Sequence, residues 1–466
     1  MFRPPVRLLA LLLAVSSGCA VGPDYRRPDL ATPAAWHAEN AAAPSLADPD
    51  AALAAWWERF GDARLSAFVE RAARESVELR LADARVQELL ALRGVAGASL
   101  WPELDAAALA TVKAGNAPSS SLAALSALWE LDVFGGLRRG VEAADADVGA
   151  AIEGRRALLL ALVGSVATTY VELRGLESQI ATVRRNLAAQ AETRSLTEAQ
   201  RQAGLASDLD VDRARALVSV TASAIPPLEN ARTVAQNRLT VLLGAAPGSL
   251  DAELGDPAPI PSAPAELVVG VPADLLRRRP DLARAEREVA AATARIGEAT
   301  AELYPRFALV GSVGLRASDI AKLVSGSGAF ASIGPSITWP VFAAGRISSN
   351  VAASDAREQQ ALARYELALL GALEEVENSL DRHAREQIRR LDLRDAVAAS
   401  RDAVELARLL YANGVGGFLD VLVAERSLLE TESRLVESET AVSTSLVAVY
   451  VALGGGWEQA EALRLP

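Results

Sequence analysis

Four stretches of this chain alternate apolar and polar positions with a period of two. Over 122–133, Ala123, Leu125, Ala127, Trp129, Leu131 and Val133 share one face, while Ser126, Glu130 and Asp132 share the other. Over 333–341, Ile333, Ile337, Trp339 and Val341 stand opposite Ser336 and Thr338. Phe307, Leu309, Val313 and Leu315 line one side of a third stretch. A fourth, 104–112, has Glu103, Asp105, Thr111 and Lys113 on its polar side. Period two is the mark of a β-strand with one wet face. The rest of the chain follows a helical period. The segments 141–203 and 351–413 each run 63 residues without proline, and Leu158, Leu162, Val166, Thr169 and Leu173 recur at heptad-like spacing. At about 1.5 Å per residue, such a helix is roughly 95 Å long. Shorter helices are predicted over 65–98, 208–243, 274–303 and 418–453, with Pro226-Pro227 bending or breaking the second.

This order of elements occurs twice, about 210 residues apart. Leu100-Trp101-Pro102 returns as Leu303-Tyr304-Pro305, Trp129 as Trp339, and Gly204 with Leu209-Asp210-Val211 as Gly414 with Leu419-Asp420-Val421. Both copies end in Leu-Gly, at 243–244 and 453–454. A period this long marks a duplicated multi-element unit rather than a solenoid. Each unit reads strand, strand, very long helix, turn, helix, and Gly204 and Gly414 mark the reversals at the helix tips. The predicted organisation is a signal peptide at 1–18, an N-terminal extended and equatorial region at 19–60, and a first repeat at 61–245. A Pro-rich equatorial linker follows at 246–273, then a second repeat at 274–456 and a tail at 457–466. The Trp56-Trp57 region is placed beside the linker.

Strands of about ten residues, one face apolar and the other polar, are the pattern of a membrane barrel with a wet lumen. A half-buried soluble sheet alternates in the same way. Four strands, however, cannot close a barrel, and an open edge in lipid leaves backbone groups unpaired at several kcal/mol each. A single chain is therefore either no membrane barrel or one part of one, and three chains would supply twelve strands. The fold class predicted is mainly α with a small membrane β part, completed as a homotrimer.

Composition narrows the chemistry. The chain is half hydrophobic and carries a net charge of -12. No Lys/Arg stripe interleaves with aromatics, which argues against nucleic acid as a partner. Two His and one Cys in 466 residues leave no catalytic triad or metal-ligand grouping, so neither an enzyme nor a cofactor is expected. The single Cys has a position that carries meaning. Arg3 and Arg7 precede the apolar run 8–15, and Ser16-Ser17-Gly18 leads into Cys19. This is a secretory signal, and the small residues before Cys19 resemble a bacterial lipobox, although Ser16 stands where Leu is usual. Cys19 would then carry diacyl lipid at the mature N-terminus, and Ala20 after it favours the outer membrane. The following 21–49 stretch, rich in Pro and Ala, reads as an extended strap over the body or as a loose tether.

Past each tip Gly stands an acid, Asp210 and Asp420. Ser207 with Asp210 three residues on reads as a capping box. In a three-fold assembly, Asp420 would also recur as a ring of carboxylates across a pore's narrow end. Both roles are compatible.

Taken together, these features closely resemble the outer-membrane factor family of efflux channels, especially its nodulation-type lipoprotein branch. The residues that carry the likeness are Cys19-Ala20-Val21-Gly22-Pro23-Asp24-Tyr25, Trp56-Trp57 with Phe60, Asp62 and Leu65, and Val271-Pro272 with Asp274-Leu275-Leu276. Arg278-Arg279-Pro280-Asp281, Leu303-Tyr304-Pro305 and Ala452-Leu453-Gly454-Gly455-Gly456-Trp457 complete the set. The resemblance implies a trimer with a twelve-strand outer-membrane barrel, a periplasmic helical barrel, and docking to a periplasmic adaptor and an inner-membrane pump of the resistance-nodulation-division class. It places the periplasmic gate at Leu419, Asp420, Val423 and Arg426. Val423 departs from the acid usual there, which leaves Arg426 without its expected partner and Asp420 to hold the gate alone. A type I secretion channel and a lipid-anchored coiled-coil scaffold are the alternatives to a passive efflux duct.

Overall fold

The computed structural model describes residues 20–37, 53–111, 120–262, 278–318, 322–323, 326 and 328–463. The signal peptide, Cys19, residues 38–49 of the Pro- and Ala-rich stretch and the Val271-Pro272 to Leu276 motif lie outside the described residues. A short 3-10 helix at Trp56–Phe60 comes first. It is followed by α1 (Ala63–Glu75), α2 (Val77–Ala98), β1 (Glu103–Thr111), β2 (Ser120–Leu131), α3 (Gly136–Gln202), α4 (Asp208–Ser223), α5 (Ile225–Leu242) and α6 (Asp251–Leu254). The second half contributes α7 (Pro280–Ala301), β3 (Arg306–Ala317), β4 (Ala329–Thr338), α8 (Arg346–Ala412), α9 (Phe418–Ala452) and α10 (Trp457–Ala462). α3 and α8 are both 67 residues long, as the duplication requires.

Two expected helices are each two. The 65–98 stretch breaks at Ser76, which adopts φ -56°, ψ 130° and offers its carbonyl to the Arg80 N–H. No Pro or Gly announced that break; a Ser suited to capping is the only local signal. Between α4 and α5 the prolines sit in the first turn of α5, where their missing N–H groups are not needed.

The described residues fall into two compact units. The first draws on Met1–Leu30, Asp83–Gly154 and Asp281–Ala368. Its sheet is antiparallel throughout, in the order β1-β2-β3-β4. The register makes the alternation coherent across strands. Leu104 pairs with Ala127, which pairs with Gly311, which pairs with Ile333; Leu131 pairs with Phe307 and Phe307 with Ile337. One face is thus apolar on all four strands, and it is exposed: Leu104 is 73 % and Ile333 77 % accessible. The opposite face carries the row Asp105, Ser126, Ser312 and Ser332, with the last two hydroxyls 2.8 Å apart. At the sheet's foot the two repeats use the same device. Trp129 Nε1 donates to the Leu100 carbonyl at 3.0 Å, and Trp339 Nε1 to the Leu303 carbonyl at 3.1 Å.

The 20–30 stretch is tied to this unit at several points. The Val21 N–H donates to the Phe134 carbonyl, Arg139 pairs with Asp24 at 2.6 Å, and Tyr25 donates to Glu286. Gly135, at φ +79°, lets the strap lie flush: a Cβ there would stand 2.7 Å from Ala20 Cα.

The second unit draws on Ala31–Ala82, Arg155–Pro280 and Leu369–Pro466. Buried Trp56 stacks on Tyr450, ring centroids 5.3 Å apart, and donates to the Gly455 carbonyl. Trp56 therefore rests against the turn that follows α9, and Arg64 reaches the described part of the linker, donating to the Leu254 carbonyl at 2.6 Å. Asp62 caps α1 through the Arg64 and Leu65 N–H groups and accepts the Tyr170 hydroxyl at 2.9 Å. Arg279 reaches the Ala452 carbonyl and Glu375, and Trp457 Nε1 donates to the Arg278 carbonyl. α3 and α9 each contain a stretch apolar enough by composition to cross a bilayer, but that surface goes into packing. Gly164 and Gly175 on α3 are notches for Val451 and Thr440 of α9, where any Cβ would stand 2.5 Å or less from the facing side chain.

His383 on α8 is buried, with Nδ1 3.0 Å from Ser445 Oγ and Nε2 3.1 Å from the Gln387 amide nitrogen. Burial holds its pKa below the usual 6.5, with nearby Arg390 acting in the same direction. The unfolded chain therefore binds this proton more readily, so the neutral ring's contribution is present above pH 6.5 and lost as pH falls below it. We expect thermal stability to decline as pH falls below about 6.5, and His383→Gln to flatten that decline in a melting-temperature series.

Candidate functional site

The site is built at the helix tips. After α3 and α8 the chain reverses at Gly204 (φ +75°) and Gly414 (φ +69°), both in the left-handed region that costs a residue with a Cβ about 1–2 kcal/mol. The turns are the same in both repeats. The Leu205 N–H returns to the Gln200 carbonyl at 2.8 Å, and the Val415 N–H to the Leu410 carbonyl at 3.0 Å, the six-to-one bond of a glycine-terminated helix.

The two tip acids then differ. Asp210 completes a full capping box: its carboxylate accepts the Ser207 N–H at 3.2 Å and hydroxyl at 2.7 Å, and Ser207 Oγ accepts the Asp210 N–H. Asp420 accepts only the Gly417 N–H at 3.3 Å, since Gly417 has no side chain to return the bond. Asp420 is exposed and makes no ion pair among the described residues. α9 exposes Leu419, Asp420, Val423 and Arg426 along one side, while Phe418, Val421 and Glu425 are buried. All four gate candidates thus share a face, and Arg426 has no carboxylate partner among the described residues.

Beneath this face lies a small apolar core. Tyr411 and Phe418 rings are 5.3 Å apart, packed with Ala214 and Val421. Burial raises the Tyr411 pKa above its ordinary 10.0, so the phenol stays neutral.

Sequence reading missed the feature that orders the tip. Arg394, Arg401 and Arg408 of α8 pair with Glu439, Glu432 and Glu425 of α9 at 3.1, 2.6 and 2.7 Å. Each series steps by seven residues in opposite directions, so three rungs share one antiparallel register. Glu425 and Glu432 are buried and each accepts a further bond from α3: Thr193 Oγ1 to Glu425 at 2.5 Å and Asn186 Nδ2 to Glu432 at 2.7 Å. The heptad spacing of the Arg and Glu series was available in the sequence, but only after the hairpin was known could the two be aligned. In the first repeat the equivalent positions hold Ala191 and Ala222, and Glu198 and Arg215, leaving one rung, Arg184–Glu229 at 2.7 Å.

Long helices in hairpins, a four-strand sheet with an exposed apolar face, and an internal duplication are now all in view, and the chain has counterparts among known proteins. The model of the outer membrane efflux protein family matches residues 68–245 and 271–455. The chain belongs to that family. It is 30% identical over 449 residues to nodulation protein T of Rhizobium leguminosarum bv. trifolii, covering 95% of each chain. It is 29% identical over 468 residues to the cation efflux system protein CusC of Escherichia coli O6:H1, covering 98% of this chain and 100% of the relative. The structure of the outer-membrane channel OprN superposes with a TM-score of 0.87 at 35% identity, over 94% of this chain and 100% of that one. The fold class is therefore the expected one, that of a subunit of the trimeric outer-membrane efflux channels, and the family is one of transport proteins of the outer membrane.

Phe418→Ala removes the ring that fills the tip core and should cost about 3–5 kcal/mol locally. Amide hydrogen exchange should speed up across 407–422 and stay unchanged in the sheet.

Proposed function

We propose that three copies of this chain form the exit duct of a tripartite efflux system, carrying small compounds passively from the periplasm to the exterior. The observation that supports this reading is the sheet, whose apolar face is exposed and whose outer strands, β1 and β4, each have one unpaired edge among the described residues. In hydrocarbon those backbone groups must be satisfied, and pairing β4 of one copy with β1 of the next does so around a closed ring. Three copies give twelve strands, within the even-numbered bacterial range of about 8 to 26. A coiled-coil scaffold would leave the apolar face and its two foot tryptophans without a purpose.

Energy comes from an inner-membrane pump of the resistance-nodulation-division class, coupled through a periplasmic adaptor. The lipid anchor is Cys19. The strap supports this placement, because it pins Ala20 against Gly135 just past the end of β2. Acyl chains on Cys19 enter the bilayer. Each buried CH₂ adds about 0.8 kcal/mol. Leu419, Asp420, Val423 and Arg426 form the periplasmic aperture, with Asp420 its main charge. Asp210 lies on the neighbouring hairpin as a capping residue.

Purified protein should run as a heat-sensitive trimer and pass current in planar bilayers. Asp420→Ala should raise conductance or drug leak. Monomeric protein that passes no current would overturn the channel reading, and unchanged conductance in Asp420→Ala would overturn the aperture. Cys19→Ser should abolish palmitate labelling, checked by mass spectrometry of the mature N-terminus; a labelled variant would place the lipid elsewhere.

A further inference from the structure

The polar face of the sheet, opposite Leu104, Leu125, Val313 and Ile333, carries its charges in rows. Toward the helices stand Arg306, Glu130, Glu103 and Asp105, with Asp105 sharing its row with Ser126, Ser312 and Ser332. Beyond that row, toward the ends of the strands away from the helices, Arg316 is the sole charged residue among the described strand residues. It lies four residues past Ser312 on β3, about 13 Å along the strand.

The backbone and an aromatic ring both hold Arg316 in place. Its N–H donates to the Gly328 carbonyl at 2.9 Å, which extends the β3–β4 pairing to this residue. Its guanidinium carbon lies 5.4 Å from the centre of the Phe330 ring, inside the roughly 6 Å range of a cation–π contact. Phe330 pairs across the ladder with Gly314, so β3 puts no side chain between the ring and the guanidinium. Arg316 remains exposed while Phe330 is half-buried. A fixed positive charge is thus propped on the polar face, well separated from the acids nearer the helices.

We propose that Arg316 is a specificity-determining residue of the duct: three copies ring the outer part of the lumen and favour anionic over cationic solutes at the exit, with Phe330 as the positioning residue. This rests on the reading of the sheet as one third of a twelve-strand barrel whose polar face lines the lumen. Twelve strands about 4.8 Å apart and tilted by about 40° close at a backbone radius of about 12 Å. Side chains reach inward from that wall, so every solute passes the ring at a distance comparable with the Debye length of about 8 Å at physiological salt. The Asp105 row stands about 10 Å away along the axis of such a tilted barrel. That exceeds one Debye length, so the acids screen the ring only weakly and the two rows act as separate regions.

The test is the reversal potential of the full-length trimer in planar bilayers under a KCl gradient. All variants carry Asp420→Ala, so that acids at the aperture do not set the selectivity. Arg316→Gln should raise the ratio of cation to anion permeability about threefold near physiological salt. Arg316→Lys, which keeps the charge, should match the Asp420→Ala background. Phe330→Leu should shift the ratio in the same direction as Arg316→Gln, by less. Each shift should fade toward about 1 M salt, where the Debye length is about 3 Å. An unchanged reversal potential in Arg316→Gln, with current flowing, would overturn the ring and leave the duct standing. A shift in Arg316→Lys as large as in Arg316→Gln, or one undiminished at high salt, would also overturn it, since charge would then not be what selects. A background value in Phe330→Leu would remove Phe330 as the positioning residue. A trimer that passes no current in any variant would overturn the duct and the ring together.

Discussion

A sheet with an unpaired edge cannot sit in hydrocarbon. The sheet of this chain has to meet that constraint with only four strands. The apolar face formed by Leu104, Ala127, Gly311 and Ile333 is coherent across the whole sheet, so the surface is committed to an apolar environment. The edges on β1 and β4 have no partner among the described residues. The two statements are reconciled only by other copies of the same chain, because an alternating antiparallel order puts complementary edges at the two ends. A backbone requirement, more than any side-chain contact, thus makes the protein oligomeric.

The helices answer a different requirement. Close packing through Gly164 and Gly175 gives the middle of α3 and the C-terminal part of α9 a non-directional seam. Nearer the tip the seam becomes polar, with Glu425 and Glu432 shared between helices. Apolar contact stabilises in proportion to area and tolerates small displacement. Buried polar contact fixes register and is costly when incomplete. A body that holds its shape and a tip that has discrete positions are what these two kinds of seam provide.

The duplication also shows how two copies of one plan diverge. The foot tryptophans and the tip glycines are kept in both repeats. The ladder is complete in the second and reduced to Arg184–Glu229 in the first, and the full capping box occurs only in the first, at Ser207. Features shared by both halves belong to the common scaffold; those confined to one half distinguish the roles of the two hairpins.

The sequence by itself determined the elements and their faces. Strand alternation, the proline-free 63-residue runs, the tip glycines and the Ser207–Asp210 box are all local patterns, and the structure contains them close to where the periodicity put them. It determined the register of neither the hairpins nor the strap. That Arg408 meets Glu425, that Trp56 rests on Tyr450 and Gly455, and that Tyr25 reaches Glu286 are pairings between residues far apart in the chain. A heptad says which side of a helix is buried, and nothing about which heptad of another helix it faces. The break at Ser76 belongs to the same class, since no backbone-breaking residue marks it. Local patterns are set by backbone geometry and burial, which a chain carries in every short window. Partners are set by how whole helices slide into contact, and only the folded structure decides that.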